Sequence, residues 1–392
     1  MGETNCIQKV SVSEYISTAL SVYVENGYSF SLWRLPHSTV IYLAASEHPL
    51  LVSEVTIEES KPGFIFSPFD PSKDKICLQL DEFFVFDNGQ IISSKGIFAD
   101  EIISKSNSKK SKLIPYYSVS TSLDKMNDDD EYKHLVSAAI DEVIRGNVEK
   151  IVPSRSKKLQ LQNDFDLITT FNRLCELYPS AMVSVFSSPM TGTWVGATPE
   201  MLVGITNDQH FHTVAVAGTQ PYSAGMDLRS VRWTQKEIEE QALVERYIIS
   251  CFKKIRLREY DELGPKTIVA GNVLHLKTDF MVDMIATGFP QLGTTMLKLL
   301  HPTSAVCGMP LETSLNWLKK NEGYDRQFYS GYLGPLNVNG ESNLYVNLRC
   351  MQLFAKEAIL YAGAGVMADS DPEKEWSETE MKMNTLMKSI KK

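Results

Sequence analysis

Two acidic stretches, Glu237-Ile238-Glu239-Glu240 and Glu375-Trp376-Ser377-Glu378, each set two carboxylates three residues apart on segments with helical spacing. That separation puts both side chains of a stretch on one helix face. Two such faces brought together gather four carboxylates, an arrangement that requires a cation. Hard oxygen donors of this kind suit Mg²⁺, which takes one or two protein carboxylates beside an anionic substrate. Each stretch also has a plainer reading. Thr234 and Glu237 have the spacing of a capping box, and paired glutamates are common on solvated helices.

Other residues could do acid–base or binding chemistry. Lys150 lies in the run Lys150-Ile151-Val152. A lysine against apolar surface can lose basicity and act as a general base, or it can point into water from a strand edge. Glu200 follows Pro199 in Gly196-Ala197-Thr198-Pro199-Glu200, a constrained loop that suits a positioned acid or an ordinary turn. Arg349, beside Leu348 and Cys350-Met351, reads as a buried guanidinium that needs a carboxylate from protein or substrate. Gly363-Ala364-Gly365 allows close approach of backbone to a ligand. His275, at a strand end, reads as a structural histidine.

The elements that must hold these residues are mixed. A helix is expected over Ser13–Val24, then short strands around Val40–Ala44, Gly63–Phe66 and Glu82–Phe86, the last closing at Asp87-Asn88-Gly89. Ser104–Lys112 is polar and reads as an exposed loop and internal boundary. The acidic run Asn127–Glu131 opens a helix through Arg145 and suits its N-terminal dipole without any metal. A strand over Val148–Lys158, a helix over Phe165–Leu177 and strands around Ala181–Phe186, Thr193–Val195 and His212–Ala217 follow. The longest helix runs from Thr234 to Arg258. Strands near Thr267–Ala270 and Val273–Leu276 and helices at Gln291–Leu300 and Leu311–Lys319 come next. The remainder is a hairpin of Gln327–Val338 with Asn343–Phe354, a strand Ala358–Ala364, and a last helix Asp371–Lys391 with Pro372 at its start. Without strict strand–helix alternation, the pattern predicts a mixed α/β, α+β-type fold with a largely antiparallel β-core.

Composition narrows the class. The 392 residues are 43% hydrophobic and 22% charged, ordinary for a globular protein with a large core. A net charge of −9 opposes nucleic-acid binding, although local cations can still hold a small anion. No apolar run spans a bilayer, and MGETNCIQKV lacks a signal-peptide core, so a cytoplasmic protein is expected, with no membrane partner. The six cysteines, Cys6, Cys77, Cys175, Cys251, Cys307 and Cys350, form no CxxC pair and read as reduced and mostly buried.

Several runs together resemble the chorismate-utilising enzymes: isochorismate, salicylate, anthranilate and aminodeoxychorismate synthases. They are Lys150-Ile151-Val152-Pro153-Ser154-Arg155, Gly196–Glu200, Ala217-Gly218-Thr219, His275-Leu276-Lys277-Thr278, and the stretch from Tyr329 through Arg349 to Ala362–Gly365 and Glu375–Glu378. The resemblance covers about 125–392 as a catalytic region, with 1–120 as a divergent N-terminal part of the same fold. It implies two β-sheets wrapped by helices with the active site between them.

The resemblance also implies roles. Glu240 and Glu378 would bind Mg²⁺, with Glu237 and Glu375 assisting through metal-bound water, and the ion would take the ring carboxylate of chorismate. Arg349 and Tyr329 would hold the enolpyruvyl carboxylate, and Lys382 would add positive charge. Gly218, Thr219 and Gly363 would line the pocket, and His275 would meet the ring. In water-using members a lysine at the Lys150 position activates water for attack on ring carbon 2, while Glu200 protonates the departing 4-hydroxyl. Aminating members typically carry glutamine there, and aminodeoxychorismate synthases a lysine where Ala217 stands. The combination favours an isochorismate synthase, an isomerase serving menaquinone or siderophore biosynthesis, as a monomer without a glutaminase subunit. The alternatives are a salicylate synthase or an aminating anthranilate-type enzyme. Gln241 departs from the histidine many relatives have, and Gln220-Pro221-Tyr222 from their arginine-containing run.

Overall fold

The computed structural model describes residues 11–106, 116–119, 129–223, 225–270 and 273–390. Among these, two nine-stranded sheets account for most of the β-structure, and every pairing within them is antiparallel. The first sheet runs Gln90–Lys95, Glu82–Asp87, Ile41–Ser46, Ser29–Arg34, Met182–Ser188, Gly192–Thr198, Cys350–Leu353, Glu357–Gly363, Ser154–Gln160. The second runs Asp261–Ala270, Val273–Asp283, His210–Pro221, Met201–Ile205, Ser342–Val346, Tyr332–Leu336, Gly63–Ser67, Lys75–Gln79, Leu50–Val52. The expected α/β class with a two-sheet antiparallel core is therefore what the chain adopts.

Three apolar layers hold it. A largely aromatic cluster draws Trp33, Phe186, Trp194 and Tyr361 from the first sheet and Phe64, Phe66 and Tyr345 from the second. Burying one such ring is worth about 1.5–3 kcal/mol. On its other side the first sheet packs against the helices Val12–Glu25, Leu167–Leu177 and Pro372–Ile390. The second is covered by Asp129–Ile144, Gln235–Lys254 and Leu292–Leu300. No described helix is long and apolar enough to cross a membrane.

Three expected elements differ in ways that bear on function. The strand expected over Val148–Lys158 is broken. Lys150–Ile151 pairs with Gly308–Met309 in a two-stranded piece, and Ser154–Gln160 joins the first sheet. Pro153 has no N–H to give a ladder, which explains the break. The loop expected over Gly196–Glu200 is mostly strand: Gly192–Thr198 continues to Thr198, and Pro199-Glu200 is the link across to Met201–Ile205 in the second sheet. The second arm of the expected hairpin also divides. Ser342–Val346 belongs to the second sheet and Cys350–Leu353 to the first, with Arg349 at φ 46° in the turn between them.

Ser104–Ser106 ends the helix Ala99–Ser106 instead of opening a loop. The rest of that polar stretch through Lys112, MGETNCIQKV with Cys6, and Asn127-Asp128 lie outside the described residues. The other five cysteines are free thiols, buried at Cys251, Cys307 and Cys350 and half-buried at Cys77 and Cys175.

Candidate active site

Glu200 and Arg349 both sit where the chain passes from one sheet to the other, so each faces the gap between them. That gap holds a pocket with about 660 Å³ of atom-free space, lined by Glu200, Ala217, Gly218, Thr219, Glu240, His275, Tyr329, Arg349, Gly363 and Lys382, among others. The structure thus gathers residues spread over more than 180 positions of sequence.

Glu200 is 6% exposed and makes no ion pair among the described residues. Burial pushes its carboxyl up to about 7, against the opposing pull of Lys150, Lys382 and Arg349. Thr303, whose hydroxyl is buried without a hydrogen-bond partner of normal geometry, lies close by. Arg349 is buried too, and burial pulls its guanidinium below the usual range. Its Nη2 lies 3.0 Å from His275 Nε2, and its Nη1 donates to Thr385 at 3.4 Å.

His275 Nδ1 is 2.6 Å from the carbonyl of Gly218. A carbonyl can only accept, so Nδ1 carries the proton and Nε2 accepts from Arg349. Burial and then Arg349 hold this imidazole down to about 3, hence neutral. Gly218 has φ 69°, the left-handed region that suits glycine, and its turn aims the carbonyl at His275. Tyr329 stacks on Tyr361 at 5.4 Å, and burial raises its hydroxyl to about 12.

A second cavity opens beyond Thr219 and Glu240, which line both spaces. Glu237, Glu240, Glu375 and Glu378 all face it. Glu237 and Glu240 come from the first two turns of Gln235–Lys254, capped by Thr234. Glu375 and Glu378 come from the start of Pro372–Ile390. Glu237 does close the capping box, and its Oε2 also accepts from Gln220 at 2.9 Å.

The other three carboxylates are paired with lysines: Glu240 with Lys150 at 2.8 Å, Glu378 with Lys382 at 2.7 Å, and Glu375 with Lys236. Burial opposes charge on Glu240, but Lys150 and Lys236 outweigh it and hold the carboxyl below its usual range. Burial and then Glu378 raise Glu375 to about 7. Lys236 is pushed up to about 12: burial opposes the charge, and Glu375 followed by Glu240 more than offsets it.

Glu375 Oε2 is buried without a hydrogen-bond partner, an acceptor in want of a cation or donor. Oxygen donors on four carboxylates around one cavity fit a hard divalent ion. No set of three or more Asp, Glu, His or Cys side chains stands at ligating separation among the described residues, and three of the four carboxylates are engaged by lysines.

Lys150 does not line the pocket. It is 1% exposed and held behind Glu240, with Gly365 packed against both. A methyl at Gly365 would collide with the Glu240 carboxylate and come within 2.7 Å of Lys150 Cε. The glycine is needed for that packing.

Sequence reasoning missed Lys236, Thr303 and the pocket-lining pair Ala305-Val306. Lys236 is adjacent to Glu237 and carried a readable signal: a cation on the turn that presents the carboxylates. Thr303 lies in a loop with no periodicity and offered none.

Comparison with known proteins adds an independent line. A family model described as chorismate binding enzyme matches residues 88–391. The vibriobactin-specific isochorismate synthase of Vibrio cholerae is 26% identical over 263 residues, 66% of each chain. Isochorismate synthase DhbC of Bacillus subtilis is 28% identical over 279 residues, 67% of this chain and 68% of that one. The match to the Vibrio protein thus spans just under two thirds of its length. In fold, the chain is similar to the menaquinone-specific isochorismate synthase MenF of Escherichia coli. The TM-score is 0.74 at 19% identity, covering 98% of this chain and 92% of the other.

Proposed function

The chain belongs to the chorismate binding enzymes, and from that premise we propose that it is an isochorismate synthase, an isomerase that adds water at ring carbon 2 of chorismate and expels the 4-hydroxyl. The reading is carried by Glu200: a buried carboxyl raised to about 7, facing a pocket that also presents Arg349 and Lys382. A group with that proton affinity can be protonated near neutrality and still give its proton to a leaving hydroxyl.

Arg349 and Tyr329 take the enolpyruvyl carboxylate. His275, neutral and fixed in one tautomer, steadies the guanidinium that does so. Lys382 donates to the Gly363 carbonyl at 2.8 Å and keeps positive charge at the pocket wall. Lys150 is the base for water, and its amine must part from Glu240 to serve. Lys150 in place of the glutamine of aminating members, together with Ala217 in place of a nucleophilic lysine, supports water over a nitrogen nucleophile.

Glu240 and Glu378 would hold Mg²⁺, with Glu237 and Glu375 in support. When bound, the ion supplies charge to neutralise and orient the ring carboxylate of chorismate. The enzyme acts as a cytoplasmic monomer without a glutaminase subunit, and its product feeds menaquinone or siderophore synthesis.

The test is the product profile from chorismate and Mg²⁺, followed by proton NMR with lactate-dehydrogenase coupling for pyruvate. Isochorismate without early pyruvate is expected. Stoichiometric salicylate and pyruvate would make the chain a salicylate synthase, and an aminated product with ammonium salts would overturn water addition.

A further inference from the structure

Behind the pocket wall lies a buried ion pair outside the chemistry assigned above. Arg326, 2% exposed, donates through Nε to Glu322 Oε2 and through Nη2 to Glu322 Oε1, both at 2.7 Å. Two further donors reach main-chain carbonyls of two other segments: Nη1 to Val306 at 2.8 Å and Nη2 to Val152 at 2.7 Å. Glu322 Oε1 in turn accepts from Ser154 N at 2.6 Å and Ser154 Oγ at 2.7 Å. The guanidinium also lies 5.8 Å from the ring centre of Tyr329.

Val152, Val306 and Tyr329 line the pocket, whereas Glu322 and Arg326 do not. Val152 is two residues beyond Lys150, and Val306 belongs to the loop that carries Thr303 beside Glu200. One guanidinium therefore spans the segment bearing the base and the loop beside the acid. The planar fork makes this possible, since its donors leave in fixed directions that an ammonium cannot reproduce.

Stability alone is a weak reason for such a pair, because buried ion pairs can be replaced by apolar groups of similar volume at little cost to the fold. We propose that Arg326, locked by Glu322, is a positioning residue of the active site that fixes the spacing between the Lys150 segment and the Thr303–Val306 loop. The inference rests on the reading of this pocket as the place where chorismate reacts.

The test compares the full-length wild type with Arg326→Lys, which keeps the charge and loses the fork, and with the uncharged double variant Glu322→Gln/Arg326→Met. Expected in both are a cooperatively folded protein, with a lowered melting temperature in Arg326→Lys, and a kcat for isochorismate lowered by roughly 10²-fold, the scale of a 1 Å misplacement. The KM for chorismate changes much less, because Arg349 and Lys382 are untouched. Methylguanidinium should restore part of the turnover of Arg326→Ala, by refilling the site with a planar fork.

Wild-type kcat and KM in a folded Arg326→Lys would overturn the proposal. So would failure of that variant to fold, since the pair would then serve the fold before the site. A wild type that binds chorismate without making isochorismate would remove the functional reading instead. The proposal would then be judged by amide hydrogen exchange in the Val152 and Thr303–Val306 segments of wild type and folded Arg326→Lys, with identical protection overturning it.

Discussion

Glu322 with Arg326 and Glu200 with Arg349 are both buried glutamate–arginine combinations, and they are used in opposite ways. Glu322 and Arg326 bond each other twice, and further bonds tie them to Val152, Val306 and Ser154. Glu200 and Arg349 are comparably buried yet make no ion pair among the described residues. Arg349 meets a neutral imidazole and a hydroxyl instead. Where the chain needs fixed spacing it satisfies buried charge from within. Where we propose that a ligand is held or protonated, it leaves buried ionisable groups without an ion-pair partner among the described residues. The contrast matters because an uncompensated buried charge costs several kcal/mol, so leaving one is a burden on stability.

The largest effects should come from removing the proposed base, Lys150, and the unpaired acid, Glu200. Lys150→Ala and Glu200→Gln should each lower isochorismate formation by about 10²–10⁴-fold with the fold intact by circular dichroism. Near-wild-type turnover in Glu200→Gln would break the comparison, because Glu200 would then be as structural as Glu322.

The same variant tests the burden directly. The folded carboxyl of Glu200 is raised from 4.5 to about 7, so the fold favours its protonated form. Its contribution to stability is present below pH 4.5 and lost as pH rises through 7. Glu200→Gln should therefore match wild type at pH 4.5 and exceed it above pH 7, by on the order of 3 kcal/mol in denaturant melts. Equal stability at pH 8 would show that the charge is compensated after all.

The acidic cavity sharpens the contrast, since Glu240, Glu375 and Glu378 are partnered by lysines that the proposed Mg²⁺ would have to displace. Mg²⁺ at about 100 times its dissociation constant should stabilise the wild type by about 2.7 kcal/mol in thermal melts. Glu240→Gln should remove most of that gain, and an unchanged Mg²⁺ titration would count against this ligand set. The smallest effect is expected at Gly365, where alanine would push the Lys150–Glu240 pair aside. A loss of about 1–3 kcal/mol is expected from such overpacking, with reduced turnover.

Fold class was legible from the order and periodicity of the elements, and the paired glutamates from their spacing on helix starts, as with Glu240 and Glu378. Most other pocket members could be named only through the motifs that resemble the chorismate-utilising enzymes. What could not be read was where a strand changes sheets. Thr198, Glu200 and Met201 look like one continuous stretch with a turn, and alternation of side chains is the same whichever sheet receives them. The division of Ser342–Leu353 at Arg349 was hidden for the same reason. Partners of buried charges were equally silent. Glu322 and Arg326 stand four apart with the spacing of a solvated helix pair, and nothing local distinguishes them from one.

The interleaving of early and late strands has a practical side. Ser29–Arg34 lies directly against Met182–Ser188, and Gly63–Ser67 against Tyr332–Leu336. A fragment beginning after residue 100 would keep most of the pocket residues yet expose two long apolar strand edges, one on each sheet. Open edges of that kind recruit other chains. Such a fragment should collect as insoluble aggregate when expressed alone, and co-expression with residues 1–100 should raise its soluble yield.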